Sequence, residues 1–258
     1  GRSYNPVEDI TLFADGSQRR FTVPTGISMI NRLEYRTKVE STELLSCDVA
    51  MDEQSTMVAT TLDGAISSTT ATSVPVTSAT PLRAGQQIMV DSEKMTIDSI
   101  AANTLTVTRG VGGTTAATHS NGADVLLFPI VDTKDKKRGT GSNKFIIPAA
   151  TGAGEIATDA IASKDISGLT HVEGWVKIAL TAGTSAGNLK LILDDTASGA
   201  SPLETLSLPA LTNDLWRYFR VALDTPELDT AIISVGLEYD NDLGACTIWL
   251  DDIKATHN

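Results

Sequence analysis

Residues 172–180, Val-Glu-Gly-Trp-Val-Lys-Ile-Ala-Leu, alternate between two kinds of side chain, and this alternation decides the fold class. Val176 and Ile178 fall on one face of an extended strand. Trp175 and Lys177 fall on the opposite face, because successive side chains of a strand point to opposite sides. A period of two is typical of an antiparallel strand that buries one face only.

The same alternation recurs along residues 128–258, and Gly, Asn, Asp or Pro bounds each segment. A set of about seven or eight such strands in one unit is the signature of a β-sandwich or jelly roll. A short helical turn is expected near residues 226–228, and no long amphipathic helix is predicted. The further candidate strands are Lys144–Ile147, Leu189–Leu193, Glu204–Leu208, Leu215–Leu223, Ile232–Tyr239 and Cys246–Ile253.

Residues 59–127 are rich in Thr, Ser and Ala and carry short strands separated by frequent turns. This spacing predicts a small barrel or sandwich. Pro75 confines its strand to a sheet edge, because proline has no N–H to donate to a ladder. A hairpin is expected around Asp91-Ser92-Glu93. The candidate strands are Ser73–Val76, Gln87–Asp91, Lys94–Ile100 and Thr104–Arg109.

The N-terminal region also favours short strands, at residues 10–13, 20–23 and 33–39, whereas residues 43–58 fit either a strand or a short helix. The sequence therefore predicts an all-β chain of tandem small β modules that ends in a jelly-roll β-sandwich. The predicted units are an N-terminal β region that serves for attachment (1–58), a small barrel or sandwich module (59–127) and the jelly roll (128–258).

Charge and motif content exclude several classes of function. The net charge is −12, from 20 basic and 32 acidic residues, so neither nucleic acid nor an anionic membrane is an expected partner. No apolar run approaches the roughly 18 residues of a membrane-spanning helix. The three histidines form no metal-ligand pair, and no nucleophile motif occurs. We expect no catalytic activity. The two cysteines are expected to be free thiols.

Residues 85–93 and 103–123 resemble a small β module of phage tail, baseplate and head-decoration proteins. The residues that carry the resemblance are a strand followed by Glu93, the run Asn103-Thr104-Leu105-Thr106-Val107-Thr108-Arg109-Gly110, and Gly113, Thr114, His119 and Gly122.

The resemblance implies a non-enzymatic structural protein on the exterior of a tailed phage particle. A compact chain without a repetitive shaft fits a capsid decoration protein better than a tail fibre. The implied partners are other virion proteins, either capsid or tail subunits, and further copies of the chain itself. The implied location is the virion, after assembly in the host cytoplasm.

A second resemblance covers the C-terminal unit. Gly174-Trp175-Val176-Lys177, Trp216-Arg217-Tyr218 and Ile248-Trp249-Leu250-Asp251-Asp252-Ile253 follow an order that resembles a carbohydrate-binding-module-like jelly roll. This resemblance implies the alternative function, a glycan-binding adhesion protein of the tail-fibre or receptor-binding type. Fold alone does not decide between the two functions.

Aromatic side chains form the candidate contact surface. Trp175, Trp216, Tyr218 and Trp249 all alternate with aliphatic residues and are predicted on the sheet face away from the core. Three explanations remain open: packing under a neighbouring module or a covering loop, contact with another subunit, and stacking on sugar rings.

Asp251 and Asp252 are the candidate metal ligands. Jelly rolls of the resembled type carry a structural calcium near the last strand, and carboxylates suit a hard cation. The acidic pairs at residues 194–195, 240–242 and 251–252 also fit ordinary turns, because Asp and Asn are favoured there. Apart from a structural calcium, no cofactor is expected.

Two groups of basic residues stand out in so acidic a chain. The run at residues 134–138 fits a solvated connection between modules, or a contact with an acidic partner. Arg109 and His119 flank a Gly/Thr-rich loop and are interpreted as a latch whose side chains hydrogen-bond main-chain carbonyls.

Overall fold

The computed structural model describes residues 41–149 and 152–257, which belong to the structural unit of residues 39–258. The strands predicted at residues 10–13, 20–23 and 33–39 lie outside the described residues. The described part is almost entirely β, with two short 3₁₀ turns, Ala197–Gly199 and Pro226–Leu228.

The described strands fall into three antiparallel sheets. The first eight are β1 (Ser41–Leu45), β2 (Gln54–Ser55), β3 (Val58–Thr61), β4 (Ser73–Pro75), β5 (Gln87–Val90), β6 (Glu93–Ala101), β7 (Thr104–Arg109) and β8 (Asp124–Leu127). The others are β9 (Ile130–Asp132), β10 (Ser142–Ile147), β11 (Gly154–Lys164), β12 (His171–Ala179), β13 (Leu189–Asp194), β14 (Glu204–Ser207), β15 (Arg217–Ala222), β16 (Ile232–Tyr239) and β17 (Cys246–Thr256).

Strands β3 to β8 form a small barrel-like module in the order β3-β8-β5-β6-β7-β4. A bridge between Leu62 and Val76, just beyond the two terminal strands, brings the ends of the sheet together. The hairpin between β5 and β6 turns through Asp91, whose φ of 51° lies in the left-handed region that tight hairpin turns require. Pro75 lies in a terminal strand of the sheet, as predicted.

The remaining strands form a two-sheet sandwich of the jelly-roll type. One sheet has the order β15-β12-β17-β10-β9, with β1 added beside β17, and the other has the order β14-β13-β16-β11-β2. Successive strands from β10 to β13 alternate between the two sheets. The apolar sides of both sheets meet in a core in which Val176, Ile178, Ile248 and Leu250 are fully buried. The prediction of an all-β chain with a C-terminal sandwich is confirmed.

Strand β17 holds its sheet together. One edge pairs with β12 along its length, and the opposite edge pairs first with β10, up to Leu250, and then with β1, from Ile253 onward. Asp251 and Asp252 lie between these two ladders. Asp252 has a φ of 54°, and its stretch of β17 bulges opposite Gly174.

Residues 46–57 run between the barrel and the sandwich. The Met51 N–H donates to the Asn143 side chain at 2.9 Å, and the Glu53 N–H donates to the Thr158 carbonyl at 3.0 Å. Strands β1 and β2 both pair with sandwich strands, although the sequence groups them with the N-terminal region. The segment 43–58 therefore contains strands, one of its two predicted alternatives. The predicted domain boundaries themselves stay predictions.

In the described part, no helix is long and apolar enough to cross a membrane. Cys47 and Cys246 are free and buried, and burial is the main cause that raises the pKa of each thiol to about 11.

The tight contact at Gly174 generates a stability prediction. A Cβ at this position would lie 2.4 Å from Ile253 Cδ1 and 3.2 Å from the Asp251 carbonyl oxygen. We expect Gly174→Ala to lower the free energy of unfolding by about 1–3 kcal/mol, as overpacking of a core does. Gly168→Ala is the matched control, because a Cβ there would meet nothing within 4 Å. Calorimetry that found the same melting temperature for both variants would contradict this account of the bulge.

Candidate binding face of the sandwich

The outer face of the β15-β12-β17-β10 sheet carries the predicted aromatic residues. In one row across the strands, Trp175 lies beside Tyr218 on β15 and beside Asp251 on β17. In the next row, Trp249 lies between Lys177 on β12 and Lys144 on β10. The alternation that buries the aliphatic residues therefore puts the aromatic and charged residues together on the opposite face.

The part of this face near β15 is open to solvent. Trp175 and Tyr218 pack edge to face, with ring centroids 5.5 Å apart and an interplanar angle of 62°. The Tyr218 hydroxyl donates to Glu173 Oε2 at 2.6 Å. Burial and this carboxylate raise the pKa of Tyr218 to about 12, so the hydroxyl stays protonated. Tyr218 is 45% exposed, and Leu215 nearby in sequence is 60% exposed.

The part of the face near β10 is covered. Trp249 is only 7% exposed, and its indole N–H donates to Asp132 Oδ2 at 3.1 Å. The ammonium groups of Lys177 and Lys144 lie 4.7 Å and 5.2 Å from its ring centroid. Trp249 therefore packs inside the chain, whereas Trp175 and Trp216 are half-buried.

Residues 133–141, here called the covering loop, make the contacts that separate the two parts. Asp135 accepts hydrogen bonds from Lys177 Nζ at 2.5 Å and from the Trp216 indole N–H at 2.7 Å. Lys137 Nζ lies 4.8 Å from the Trp175 ring centroid. The loop thus contacts two of the predicted tryptophans, an arrangement that strand alternation does not predict.

Two carboxylates fix the main chain of the covering loop. Asp251 accepts the N–H groups of Lys137 and of Arg138, the latter at 2.9 Å. Asp48 accepts the N–H groups of Thr140 at 2.7 Å and of Gly141 at 3.1 Å. Both acceptors come from segments distant in sequence: Asp251 fastens the middle of the loop, and Asp48 fastens its C-terminal end.

The two carboxylates that accept the indole N–H groups, those of Asp132 and Asp135, are held ionised. Burial by itself raises the pKa of Asp132 and of Asp135, but hydrogen bonds outweigh it and lower both. The donors are the indole of Trp249 for Asp132, and Lys177 with the indole of Trp216 for Asp135. Each indole therefore donates to a carboxylate, which also fixes the orientation of its ring.

The carboxylates predicted to bind calcium are bonded to N–H groups and cations of the protein itself. Asp251 binds the loop N–H groups, and Asp252 forms ion pairs with Arg138 at 3.0 Å and Lys254 at 3.2 Å. Among residues 41–149 and 152–257, no group of three or more Asp, Glu, His or Cys side chains is arranged to hold a metal. Here Asp251 acts as a hydrogen-bond acceptor for the loop.

The other acidic turns also have local partners. Asp194 is fully buried and accepts the Thr196 hydroxyl at 2.6 Å and the Ser201 N–H at 2.8 Å. Asp240 forms an ion pair with Lys190 at 2.5 Å. These carboxylates fit the turn explanation.

The basic run at residues 134–138 is mostly exposed, but it also forms the covering loop. Lys136 donates to the carbonyls of Thr133 at 3.0 Å and Thr140 at 2.9 Å, which closes the loop on itself. The run is therefore a fixed part of the outer face as well as a connection between modules.

Arg109 and His119 form a latch in the barrel with Glu93 as its centre, but His119 bonds the carboxylates of Glu93 and Asp91 and not the main-chain carbonyls that were predicted. Glu93 is buried, and its carboxylate accepts two hydrogen bonds from Arg109, both at 2.6 Å, and one from His119 Nε2 at 2.8 Å. Arg109 also donates to the carbonyls of Ala71 at 2.9 Å and Ala117 at 2.5 Å. This network closes the Gly/Thr-rich loop onto the sheet.

Sequence reasoning placed Glu93 in a motif but missed its role, and it missed Asp132 and Asp135 altogether. The contact between a carboxylate and a tryptophan can be recognised only once the fold is known, because Asp135 and Asp132 precede their tryptophan partners by 81 and 117 residues.

The chain is similar to known proteins in structure but not in sequence. No protein-family model matches the chain, and no curated protein matches it in sequence. Solved structures similar to it include the family 11 carbohydrate-binding module of a cellulosomal cellulase of Clostridium thermocellum, with 11% identity, a TM-score of 0.35, and coverage of 49% of this chain and 79% of that one.

Also similar is the family 30 carbohydrate-binding module of another cellulosomal cellulase of the same organism, with 15% identity and a TM-score of 0.32. That match covers 50% of this chain and 82% of the module. At such values the similarity carries no argument about function, which must come from the residues of this chain.

The covering loop generates the next prediction. Asp135→Ala removes the acceptor of both Lys177 and the Trp216 indole, and bonds to charged groups each contribute roughly 1.5–3 kcal/mol. We expect amide hydrogen exchange in residues 133–141 to accelerate about tenfold or more. Asp195→Ala, at an exposed acid, is the control. Unchanged exchange in the Asp135 variant would mean that this carboxylate does not fasten the loop.

The latch generates a pH prediction. Burial by itself raises the pKa of Glu93, but hydrogen bonds from Arg109, the Ala117 N–H and His119 lower it to about 2. Because the folded-state pKa lies below the ordinary 4.5, the stabilisation is present above about pH 4.5 and is lost as the pH falls towards 2. This pKa shift corresponds to roughly 3 kcal/mol of stabilisation.

Glu93→Gln should be destabilised at neutral pH, because it leaves Arg109 buried without its counter-charge. Its free energy of unfolding should also vary less between pH 5 and 2 than that of the unchanged chain. Denaturant titrations across this range measure both effects. Asp63→Asn, at an exposed acid, should keep the original profile. A parallel profile for Glu93→Gln would rule out the latch as the source of the acid sensitivity.

Proposed function

We propose that this chain is a non-catalytic recognition protein that binds carbohydrate through the open part of the outer face of its sandwich. The observation that carries the proposal is the edge-to-face pair of Trp175 and Tyr218, in which Tyr218 is exposed and Trp175 half-buried, beside charged and polar groups. The proposal excludes Trp249, because the chain itself already covers that ring.

The chemistry of this patch suits a sugar ring. Carbohydrates present both apolar C–H faces and hydroxyl groups, so they require a flat aromatic surface with hydrogen-bonding groups beside it. Trp175 and Tyr218 supply the surface, with Trp216 just before the start of β15. Glu173 and Arg220 stand in the adjacent row of the sheet and supply a hydrogen-bond acceptor and donors.

The site is also preorganised. The Tyr218 hydroxyl is held by Glu173, the Trp216 indole by Asp135, and the Trp175 ring by Lys137. Side chains fixed before binding lose little conformational entropy when a ligand arrives, which favours affinity on a shallow surface. The resemblance of this unit to carbohydrate-binding modules in residue order supports the same conclusion.

The second candidate function is a structural protein on the exterior of a tailed phage particle, most readily a capsid decoration protein. It rests on the phage-like residues of the barrel. Glu93, Arg109 and His119, which belong to that pattern, build a structural latch and no ligand site. On this reading the chain acts in the virion, and Leu215 and Tyr218 contact a capsid or tail subunit or another copy of the chain.

The two functions are separated by one pair of measurements on Trp175→Ala and Tyr218→Ala. If the patch binds sugar, a glycan array should show saturable binding by the unchanged chain and a loss of about tenfold or more in each variant. Leu228→Ala is the matched control, since Leu228 is a similarly exposed apolar residue, at 56%, in a different segment.

Light scattering of the same proteins tests the alternative. Self-association that weakens in the patch variants and persists in Leu228→Ala would assign the patch to subunit contact. Absence of both sugar binding and self-association would contradict both roles for these aromatic residues.

A further inference from the structure

A buried carboxylate at the edge of the sandwich lacks any partner. Asp229 follows the 3₁₀ turn Pro226–Leu228 and is fully buried, yet neither of its side-chain oxygens has a hydrogen-bond partner in the described residues. Its main chain is fixed, because its N–H donates to the Pro226 carbonyl at 3.1 Å and its carbonyl accepts the Ile166 N–H at 2.9 Å. The side chain is therefore held in the interior by its own backbone.

A second buried carboxylate acts on the first. Glu204 begins β14 and is fully buried. It accepts the N–H groups of Asp224 at 2.8 Å and Thr225 at 2.7 Å. Burial, followed by the negative charges of Glu204 and Glu227, raises the pKa of Asp229 to about 7.

Within residues 41–149 and 152–257, no positive side chain compensates this charge. Among the described residues, neither Asp229 nor Glu204 forms an ion pair with Lys, Arg or His. All the other buried acids near the covering loop and the latch have donors or cations. A buried, unpaired carboxylate is strongly unfavourable, and two that repel each other are more so.

We propose that Glu204 and Asp229 bind a hard divalent cation of the calcium type between β14 and the 3₁₀ turn that precedes β16. Such an ion prefers oxygen ligands and several of them. The two carboxylates supply the charge, and the Thr225 hydroxyl, main-chain carbonyls and water supply the remaining oxygens. Glu204 accepts main-chain N–H groups as Asp251 does, so what distinguishes this site from Asp251 and Asp252 is Asp229, whose two side-chain oxygens have no hydrogen-bond partner among the described residues.

The function of such an ion is to hold two segments together. It would join the beginning of β14 to the connection between β15 and β16. That connection crosses from one sheet of the sandwich to the other. The inference is independent of the proposed sugar binding, which uses the outer face of the other sheet.

The test compares calcium binding by the full chain, stripped of metal with a chelator, with that of Asp229→Asn and Asp251→Asn. We expect calorimetric titration with Ca²⁺ to show one equivalent bound to the unchanged chain and a higher melting temperature in Ca²⁺ than in chelator. Asp229→Asn should bind at least tenfold more weakly and lose the temperature shift. Asp251→Asn should keep Ca²⁺ binding.

Three results would overturn the proposal: no Ca²⁺-dependent shift in the unchanged chain, undiminished binding by Asp229→Asn, or loss of binding in Asp251→Asn alone. The first result would mean that a bound proton, and not a cation, neutralises the Asp229 carboxylate. If Asp229→Asn fails to fold, hydrogen exchange on the unchanged chain decides. Ca²⁺ should then slow the amides of residues 224–229 but not those of residues 251–254, and the opposite pattern would place the ion at the last strand.

Discussion

The break in the edge pairing of β17 at Asp251 and Asp252 is the constraint on which the sandwich depends. Strand β10 pairs up to Leu250 and β1 resumes at Ile253, so one stretch of β17 has no strand partner on that edge. The Asp251 carboxylate uses this gap to accept two main-chain N–H groups of the covering loop. Without this carboxylate, the N–H groups of Lys137 and Arg138 would lose the acceptor that joins the loop to β17.

The position of the covering loop then determines which side chains of the outer face are accessible to a ligand or another subunit. With the loop fastened at Asp251 and Asp48, Asp135 reaches Lys177 and the Trp216 indole, and Trp249 is enclosed. The same arrangement leaves Tyr218 accessible. One face of one sheet is therefore divided into a packed part and an open part, and only the open part can meet a ligand or another subunit.

The pattern of the sequence predicted much of the fold. Strands β7 and β16 have the predicted bounds, and the faces of β12 and β17 follow from alternation, because burial of one side imposes a period of two. Strand β11 was missed. Its apolar residues, Ile156, Ala157 and the run 160–162, do not alternate with polar residues, so the segment lacks the period of two that marks a strand.

The candidate site was predictable in composition but not in arrangement. Alternation identified Trp175, Trp216, Tyr218 and Trp249 as one surface. It could not separate Trp249 from the others, because Asp132 at the end of β9 contacts it from 117 residues away in sequence. Side-chain contacts of that range depend on which strands are neighbours, and no local pattern contains that information.

The acidity of the chain has a structural use inside the molecule. Glu93, Asp48 and Asp251 each accept hydrogen bonds from main-chain N–H groups that have no strand partner, and Asp135 accepts the side-chain donors of Lys177 and Trp216. Each of these acids is satisfied by the protein itself. Asp229 departs from the rule, since it is equally enclosed but faces other acids. This unpartnered carboxyl group is the observation on which the proposed cation site rests.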